Sequence, residues 1–215
     1  MNLLSHILEH KIVAIVRGAE SKDVVQIASA LHEGGIKNIE ITLNSPNALE
    51  AIEKVAKKEF KGEMLVGAGT VLDPETARAA ILAGAQFILA PTVNIETIKM
   101  TKRYGAISIP GAFSPTEILT AYENGADIVK VFPASIGAQY IKDIRGPLPH
   151  IPLLPTGGVN LDNIREFNAA GAVGFGIGSS LVNTKREINA SYLKELTIKA
   201  RQYVEAIHSK QKENV

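Results

Sequence analysis

Cysteine is absent from the 215 residues, so disulfides, thiolate catalysis and cysteine-held metals are excluded at the outset. That absence leaves the compartment open. A surplus of either charge is missing too: 23 Lys and Arg against 22 Asp and Glu leave a formal net charge of +1. No basic stripe for nucleic acid and no acidic tail stands out. No apolar run approaches the ~20 residues that cross a bilayer, so neither nucleic acid nor a membrane is expected as a partner. The stretch Met1 to Lys11 lacks a basic n-region and a long apolar core, and does not read as a secretory signal. What is present is a hydrophobic share of 46%, ample for a core in a chain of this length. The expectation is a cytoplasmic enzyme or binding domain.

One stretch organises the rest: Asp127-Ile128-Val129-Lys130-Val131-Phe132-Pro133-Ala134. It reads as a short buried strand, apolar and β-branched, with a lysine in its middle and a proline stopping it. Side chains alternate along a strand, so Ile128, Lys130 and Phe132 share one face. An ammonium on a strand buried on both faces tends to lose its proton, and a neutral amine attacks carbonyl carbons. A lysine that snorkels to the strand end, or one held in a structural ion pair, is the alternative.

Around that strand the chain repeats one unit. Leu3, Leu4, Ile7 and Leu8 sit at helical spacing, which predicts a short amphipathic helix packed on the body of the domain. Strands are expected over Ile12–Val16, Asn38–Leu43, Met64–Ala68, Phe87–Ala90, Ala106–Ile109, Ile128–Val131, Ile151–Leu154 and Val173–Ile177. Helices are expected from about Ser21, as N-cap, to Gly34, then over Pro46–Lys58, Pro74–Ala83, Ile95–Arg103, Pro115–Glu123, Gln139–Ile144, Leu161–Ala170 and Glu187–His208. Eight strand-helix cycles with short connections predict an α/β fold: a single (β/α)8 TIM barrel with a short N-terminal helix, spanning the whole chain as one domain. Residues 209–215 are expected to fray.

In such a barrel, chemistry sits at the C-terminal ends of the strands. Those ends carry Arg17, Glu40 with Thr42, Thr70, Pro91, Lys130 with Phe132, Thr156-Gly157-Gly158 and Gly178-Ser179-Ser180. Alternation in Ile39-Glu40-Ile41-Thr42-Leu43 turns Glu40 and Thr42 inward. A carboxyl there is either half of a buried ion pair with Arg17 or Lys130, or a general acid/base with a pKa raised by burial. Pro155-Thr156-Gly157-Gly158-Val159 and Gly176-Ile177-Gly178-Ser179-Ser180 follow the last two strands, the recurring phosphate site of this fold. Glycines there let backbone N–H groups approach phosphate oxygens, and a following helix N-terminus adds its dipole. Gly67-Ala68-Gly69-Thr70 looks dinucleotide-like, but Leu72 stands where the third glycine belongs, so nicotinamide binding is rejected. His6, His10, His32, His150 and His208 fall on helices or before strands, so a histidine-based metal site lacks its ligands. An inward lysine, an inward glutamate and a phosphate cradle without metal ligands suit a Schiff-base aldolase.

The sequence resembles the KHG/KDPG aldolases, class I enzymes acting on 2-dehydro-3-deoxy-6-phosphogluconate (KDPG). Ile-Val-Arg-Gly at 15–18, Ile-Glu-Ile-Thr-Leu at 39–43, Gly-Ala-Gly-Thr-Val at 67–71, Lys-Val-Phe-Pro at 130–133 and Pro-Thr-Gly-Gly-Val at 155–159 match family patterns in order. The resemblance implies a barrel, a homotrimer, Lys130 as Schiff-base residue and Glu40 as proton shuttle. It further implies that Thr70 and Arg17 contact the substrate carboxylate, and that Pro91 and Phe132 shape the pocket. Thr156, Gly157, Gly158, Gly178 and Ser179 would hold the phosphate. No metal or cofactor is implied, and the expected partner is a small phosphorylated keto acid. Cleavage would give pyruvate and D-glyceraldehyde 3-phosphate, with 4-hydroxy-2-oxoglutarate as a second candidate substrate.

One departure bears on the substrate. Many family members carry an arginine just after the strand-two pattern, where this chain has Asn44 in Leu43-Asn44-Ser45-Pro46. That turn, and Gln139-Tyr140-Ile141-Lys142, resemble the branch that cleaves the galactonate epimer, whereas Pro155-Thr156-Gly157-Gly158 is of gluconate type. Two further readings stand beside an aldolase: a sugar-phosphate isomerase or epimerase, and a non-catalytic phosphosugar-binding module.

Overall fold

A computed structural model describes residues 2–58, 60 and 62–208. It opens with helix α1 (Leu3–His10), whose first turn is capped by Asn2 Oδ1, which accepts from the N–H groups of Leu4 and Ser5. Strands β1 (Ile12–Val16), β2 (Asn38–Thr42), β3 (Leu65–Gly69), β4 (Phe87–Leu89), β5 (Ile107–Ile109) and β6 (Gly111–Ala112) follow, then β7 (Val129–Val131), β8 (Leu153–Pro155) and β9 (Phe175–Ile177). Between them run α2 (Ser21–Glu33), α3 (Ala48–Lys57), α4 (Pro74–Leu82), α5 (Ile95–Arg103), α6 (Pro115–Glu123), α7 (Ala138–Arg145) and α8 (Ile164–Ala169). Helix α9 (Ala190–His208) comes last. The expected frayed tail, 209–215, lies outside the described residues.

The strands are parallel and make a curled sheet in two parts, ordered β5-β4-β3-β2-β1-β9 and β6-β7-β8. Pro110 separates β5 from β6, because a proline has no N–H for a ladder. Across that break the Asp127 N–H still donates to the Ser108 carbonyl and the Lys130 N–H to the Pro110 carbonyl. At the other seam a single bridge pairs Thr156 with Gly176, and the Val173 N–H donates to the Leu153 carbonyl.

Alternation sorts the side chains as the strand geometry requires. Ile39 and Ile41 of β2, with Val129 and Val131 of β7, pack outward in the large core between sheet and helices. Val13, Leu65, Phe87, Leu89, Ile107, Ile109, Ile128 and Leu154 face inward as a second apolar cluster, together with Ile7 from α1. The short N-terminal helix therefore buries its apolar face against the inner side of the sheet.

Several helix starts or caps differ from the sequence expectation, among them α3, which begins at Ala48 rather than Pro46. Ser21 is not a cap: the N-cap position is Glu20, without a side-chain cap bond, and Ser21 Oγ accepts from Lys54 Nζ instead. The helix expected from Leu161 begins at Ile164, because Asn160 Oδ1 accepts from the N–H groups of Asp162 and Asn163 and diverts that turn. The last helix begins at Ala190 rather than Glu187, with Asn189 Oδ1 accepting from the Tyr192 N–H. Among the described residues no helix is long and apolar enough to cross a membrane.

Candidate active site

Glu40 lies in the middle of β2, opposite Ile15 of β1 and Gly67 of β3, and is 1% exposed. Its carboxyl is accommodated by Gly69, where any Cβ would overlap it. Gly67, two residues earlier on the same face, leaves room for the Phe87 ring. The glycines that fail as a dinucleotide motif thus serve as floor space. Oε2 of Glu40 is buried without a hydrogen-bond partner, which is costly for a carboxyl and rare in a purely structural role.

Lys130 sits between Gly111 of β6 and Leu154 of β8 and is 4% exposed, so it does not snorkel to solvent. Its Nζ lies 5.0 Å from the centroid of the Phe132 ring. Burial lowers its pKa; the Glu40 charge opposes that shift and Arg17 adds to it. Burial likewise raises the Glu40 pKa, against the pull of Lys130 and then Arg17. Among the described residues no ion pair involves Glu40, Lys130 or Arg17. The buried-ion-pair alternative is therefore not formed, and the two groups are coupled through the low-dielectric interior without being locked together.

Above them opens a cleft of about 830 Å³, lined by Arg17, Phe132, the Thr156–Asn160 loop, Gly176, the Gly178–Ser180 turn and the Val182–Lys185 segment, among others. Its lining holds two cations, Arg17 and Lys185, and no carboxylate, which favours an anionic occupant. The two glycine loops are joined, since Ser180 Oγ donates to the Val159 carbonyl at 2.8 Å. Asn163 Nδ2 donates to the Gly158 carbonyl at 2.8 Å and holds that loop from behind. Gly158 has φ +104° with Ser135 packed against its Cα, a conformation and a space that suit glycine. Thr156 Oγ1 is buried and unpartnered. Helix α8, whose N-terminus was expected beside this cradle, starts at Ile164, and the Ile164 N–H donates to the carbonyl of Asn160, which lines the cleft.

Seven of the sequence-derived residues, Arg17, Phe132, Thr156, Gly157, Gly158, Gly178 and Ser179, line this one cleft. Glu40 and Lys130 are buried and are not among the lining residues, and Lys130 Nζ lies over the ring of Phe132, which is. Thr70 and Pro91 are not among the lining residues: Thr70, at φ +57°, follows the glycine that abuts Glu40, and Pro91 packs against Gly111. Sequence reasoning missed Ser45, Thr184 and Lys185. Ser45 Oγ accepts from the Gly18 N–H at 2.8 Å and contacts Thr42 Oγ1 at 2.9 Å. Thr184 Oγ1 donates to the Arg17 carbonyl at 2.5 Å. Both polar groups of the Arg17–Gly18 peptide unit are thus fixed by hydroxyls from two other loops. Hydroxyls in loops are common, and no spacing signals this arrangement. Among the described residues no group of three His, Asp or Glu converges as a metal site.

A curled parallel α/β sheet with a buried lysine and glutamate beneath an anion-favouring cleft defines a class, enzymes of carbonyl chemistry on anionic substrates. Comparison with known proteins narrows it: the model of the KDPG and KHG aldolase family matches residues 4–200, and the chain belongs to that family. It is 35% identical over 179 residues to the 2-dehydro-3-deoxy-6-phosphogalactonate aldolase of Escherichia coli K12, covering 82% of this chain and 87% of the relative. It is 36% identical over 163 residues to the 2-dehydro-3-deoxy-phosphogluconate aldolase of Pseudomonas aeruginosa PAO1, covering 75% and 73%. Among solved structures it resembles the KDPG aldolase of Legionella pneumophila, in which pyruvate was captured as a covalent carbinolamine. That match has a TM-score of 0.83 and 29% identity, and covers 92% of this chain and 96% of the other. The chain is a class I aldolase, a carbon-carbon lyase.

Proposed function

We propose that this enzyme cleaves 2-dehydro-3-deoxy-6-phosphogluconate to pyruvate and D-glyceraldehyde 3-phosphate, with Lys130 as nucleophile and Glu40 as general acid/base. The observation that carries the reading is the pair itself: a lysine whose charged form burial disfavours, facing a buried carboxyl with an unpartnered oxygen. Lys130 Nζ attacks the C2 ketone, and the resulting carbinolamine loses water to give an iminium. Glu40 takes the proton of the C4 hydroxyl, and the C3–C4 electron pair moves to the iminium nitrogen, releasing the aldehyde and leaving an enamine. Protonation at C3 and hydrolysis free pyruvate and regenerate the amine. Arg17, with Thr70, contacts the substrate carboxylate, Pro91 and Phe132 shape the pocket, and Thr156, Gly157, Gly158, Gly178 and Ser179 hold the phosphate. The scheme uses no metal or cofactor.

The galactonate epimer is the second reading, favoured by the Leu43-Asn44-Ser45-Pro46 turn, where Asn44 is exposed and Ser45 braces Gly18. Pyruvate release from KDPG, its galactonate epimer and 4-hydroxy-2-oxoglutarate, with wild type and Lys130→Ala, decides between them. Preference for KDPG supports the first reading, preference for the epimer replaces it, and activity surviving in Lys130→Ala removes Lys130 from the mechanism. The proposal extends to a closed (β/α)8 barrel, supported by hydrogen bonds across both seams of the sheet. It extends also to a cytoplasmic homotrimer, supported by family membership and checked by sedimentation.

A further inference from the structure

Two adjacent cations, Lys185 and Arg186, follow the Gly178–Ser180 turn, and the fold treats them differently. Arg186 is neutralised: its Nη1 pairs with Glu195 Oε2 at 2.7 Å and its guanidinium lies 5.0 Å from the Tyr192 ring centroid. Lys185 lines the cleft, and among the described residues it has no acidic partner.

Its backbone is nevertheless held firmly. The Asn183 N–H donates to Tyr192 Oη at 2.9 Å, the Lys185 N–H donates to Asn183 Oδ1 at 3.1 Å, and Thr184 Oγ1 donates to the Arg17 carbonyl. The segment therefore bridges α9 and the end of β1, and sets Lys185 in the lining of the cleft that the glycine loops share. The two cations of the cleft also differ in their reach. Arg17 perturbs both Glu40 and Lys130, whereas Lys185 is not among the charges that reach either.

We propose that Lys185 is a specificity-determining residue, the cation that selects a phosphate dianion at the end of the cleft away from Lys130. The backbone N–H groups of the glycine loops supply direction but no net charge, so a phosphate held by them alone lacks a counter-ion. The inference rests on the aldolase reading of the site and adds to it the group that distinguishes a phosphorylated from an unphosphorylated keto acid.

The test compares wild type, Lys185→Ala and Arg186→Ala on KDPG and its epimer, with borohydride trapping of pyruvate as the phosphate-free control. Binding of inorganic phosphate is followed by calorimetry in parallel. Lys185→Ala is expected to raise KM for the phosphorylated acid about tenfold, the worth of one charge-assisted hydrogen bond, with kcat within about twofold. Phosphate binding should weaken by a similar factor, while pyruvate trapping and the Arg186→Ala variant stay at wild-type levels. An unchanged KM, or an equal loss in pyruvate trapping, overturns the proposal. Wild type that releases no pyruvate from either acid removes the aldolase substrate reading instead. The phosphate titration then still decides Lys185, equal binding in variant and wild type sinking it.

Discussion

The inner face of the curled sheet has two unlike regions built from the same strands. One is apolar: Val13, Leu65, Phe87, Ile107 and Ile128 close on one another and on Ile7 of α1, nearly without exposure. The polar Asn38 among them is tied by its Nδ2 to the Ile12 carbonyl at 3.1 Å, while its Oδ1 is buried without a partner. The other region lies under the cleft and gathers Glu40, Thr42, Lys130 and Thr156, all buried, with Glu40 Oε2 and Thr156 Oγ1 unpartnered. Burial stabilises the fold in the first region and opposes ionisation in the second. Stability is concentrated where chemistry is absent, and the reactive groups stand where the fold gains least from them.

Substitutions in the two regions should therefore separate activity from stability. The largest expected effect is Lys130→Arg, which abolishes turnover because a guanidinium stays protonated and cannot attack a carbonyl. Measurable pyruvate release by that variant would break the comparison at its centre. Glu40→Gln should lower kcat by roughly 10²–10⁴-fold, the usual worth of a positioned acid/base. An unchanged kcat would return Glu40 to a structural role. In the apolar region, Ile7→Ala should cost about 2–5 kcal/mol of stability in denaturant titration, with kcat and KM of the folded protein unaltered. A parallel loss of kcat would mean that the two regions are not independent.

The pH dependence of stability sharpens the contrast. Lys130 has a folded pKa below its ordinary 10.5, so between those values the unfolded chain binds the extra proton and stability rises with pH. Lys130→Met should remove that rise, making the variant more stable than wild type at the lower end of the window and converging with it above. Glu40 acts in the opposite sense: its raised pKa makes stability fall as pH climbs from 4.5 toward the folded value. Denaturation midpoints across pH check both, and parallel profiles for wild type and Lys130→Met would contradict the burial argument. The smallest effect is expected for Ser45→Ala, which frees the Gly18 N–H. It should raise KM a few-fold, by roughly one neutral hydrogen bond, with kcat near wild type and rescue by Ser45→Thr.

The contrast between the regions was partly legible in the sequence. Period-two alternation in Ile39-Glu40-Ile41-Thr42 and in Ile128-Val129-Lys130 was enough to send Glu40 and Lys130 inward, because a strand offers its side chains only two directions. Gly157 and Gly158 after β8 and Gly178 after β9 were legible because their location after the strands is a property of the repeating unit. Gly67 and Gly69 are visible in the sequence, but their spacing suggests only a ligand motif. Their use as room for Phe87 and Glu40 depends on strand register, which periodicity does not supply. The pinning of the Arg17–Gly18 peptide by Ser45 and Thr184 joins residues far apart in the chain through loop hydroxyls. The interruption at Pro110 and the late start of α8 arise from a missing donor and from Asn side chains that compete locally with the helix.

The central claim is that the buried lysine of β7 is the covalent centre, and it is tested most directly by reduction of the enzyme with borohydride in the presence of pyruvate. Peptide mass spectrometry then locates the adduct. The account predicts one reduced pyruvate adduct, on the peptide containing Lys130, absent from Lys130→Met and formed in Ile7→Ala at the wild-type rate. An adduct on another lysine, or one that persists in Lys130→Met, would contradict it.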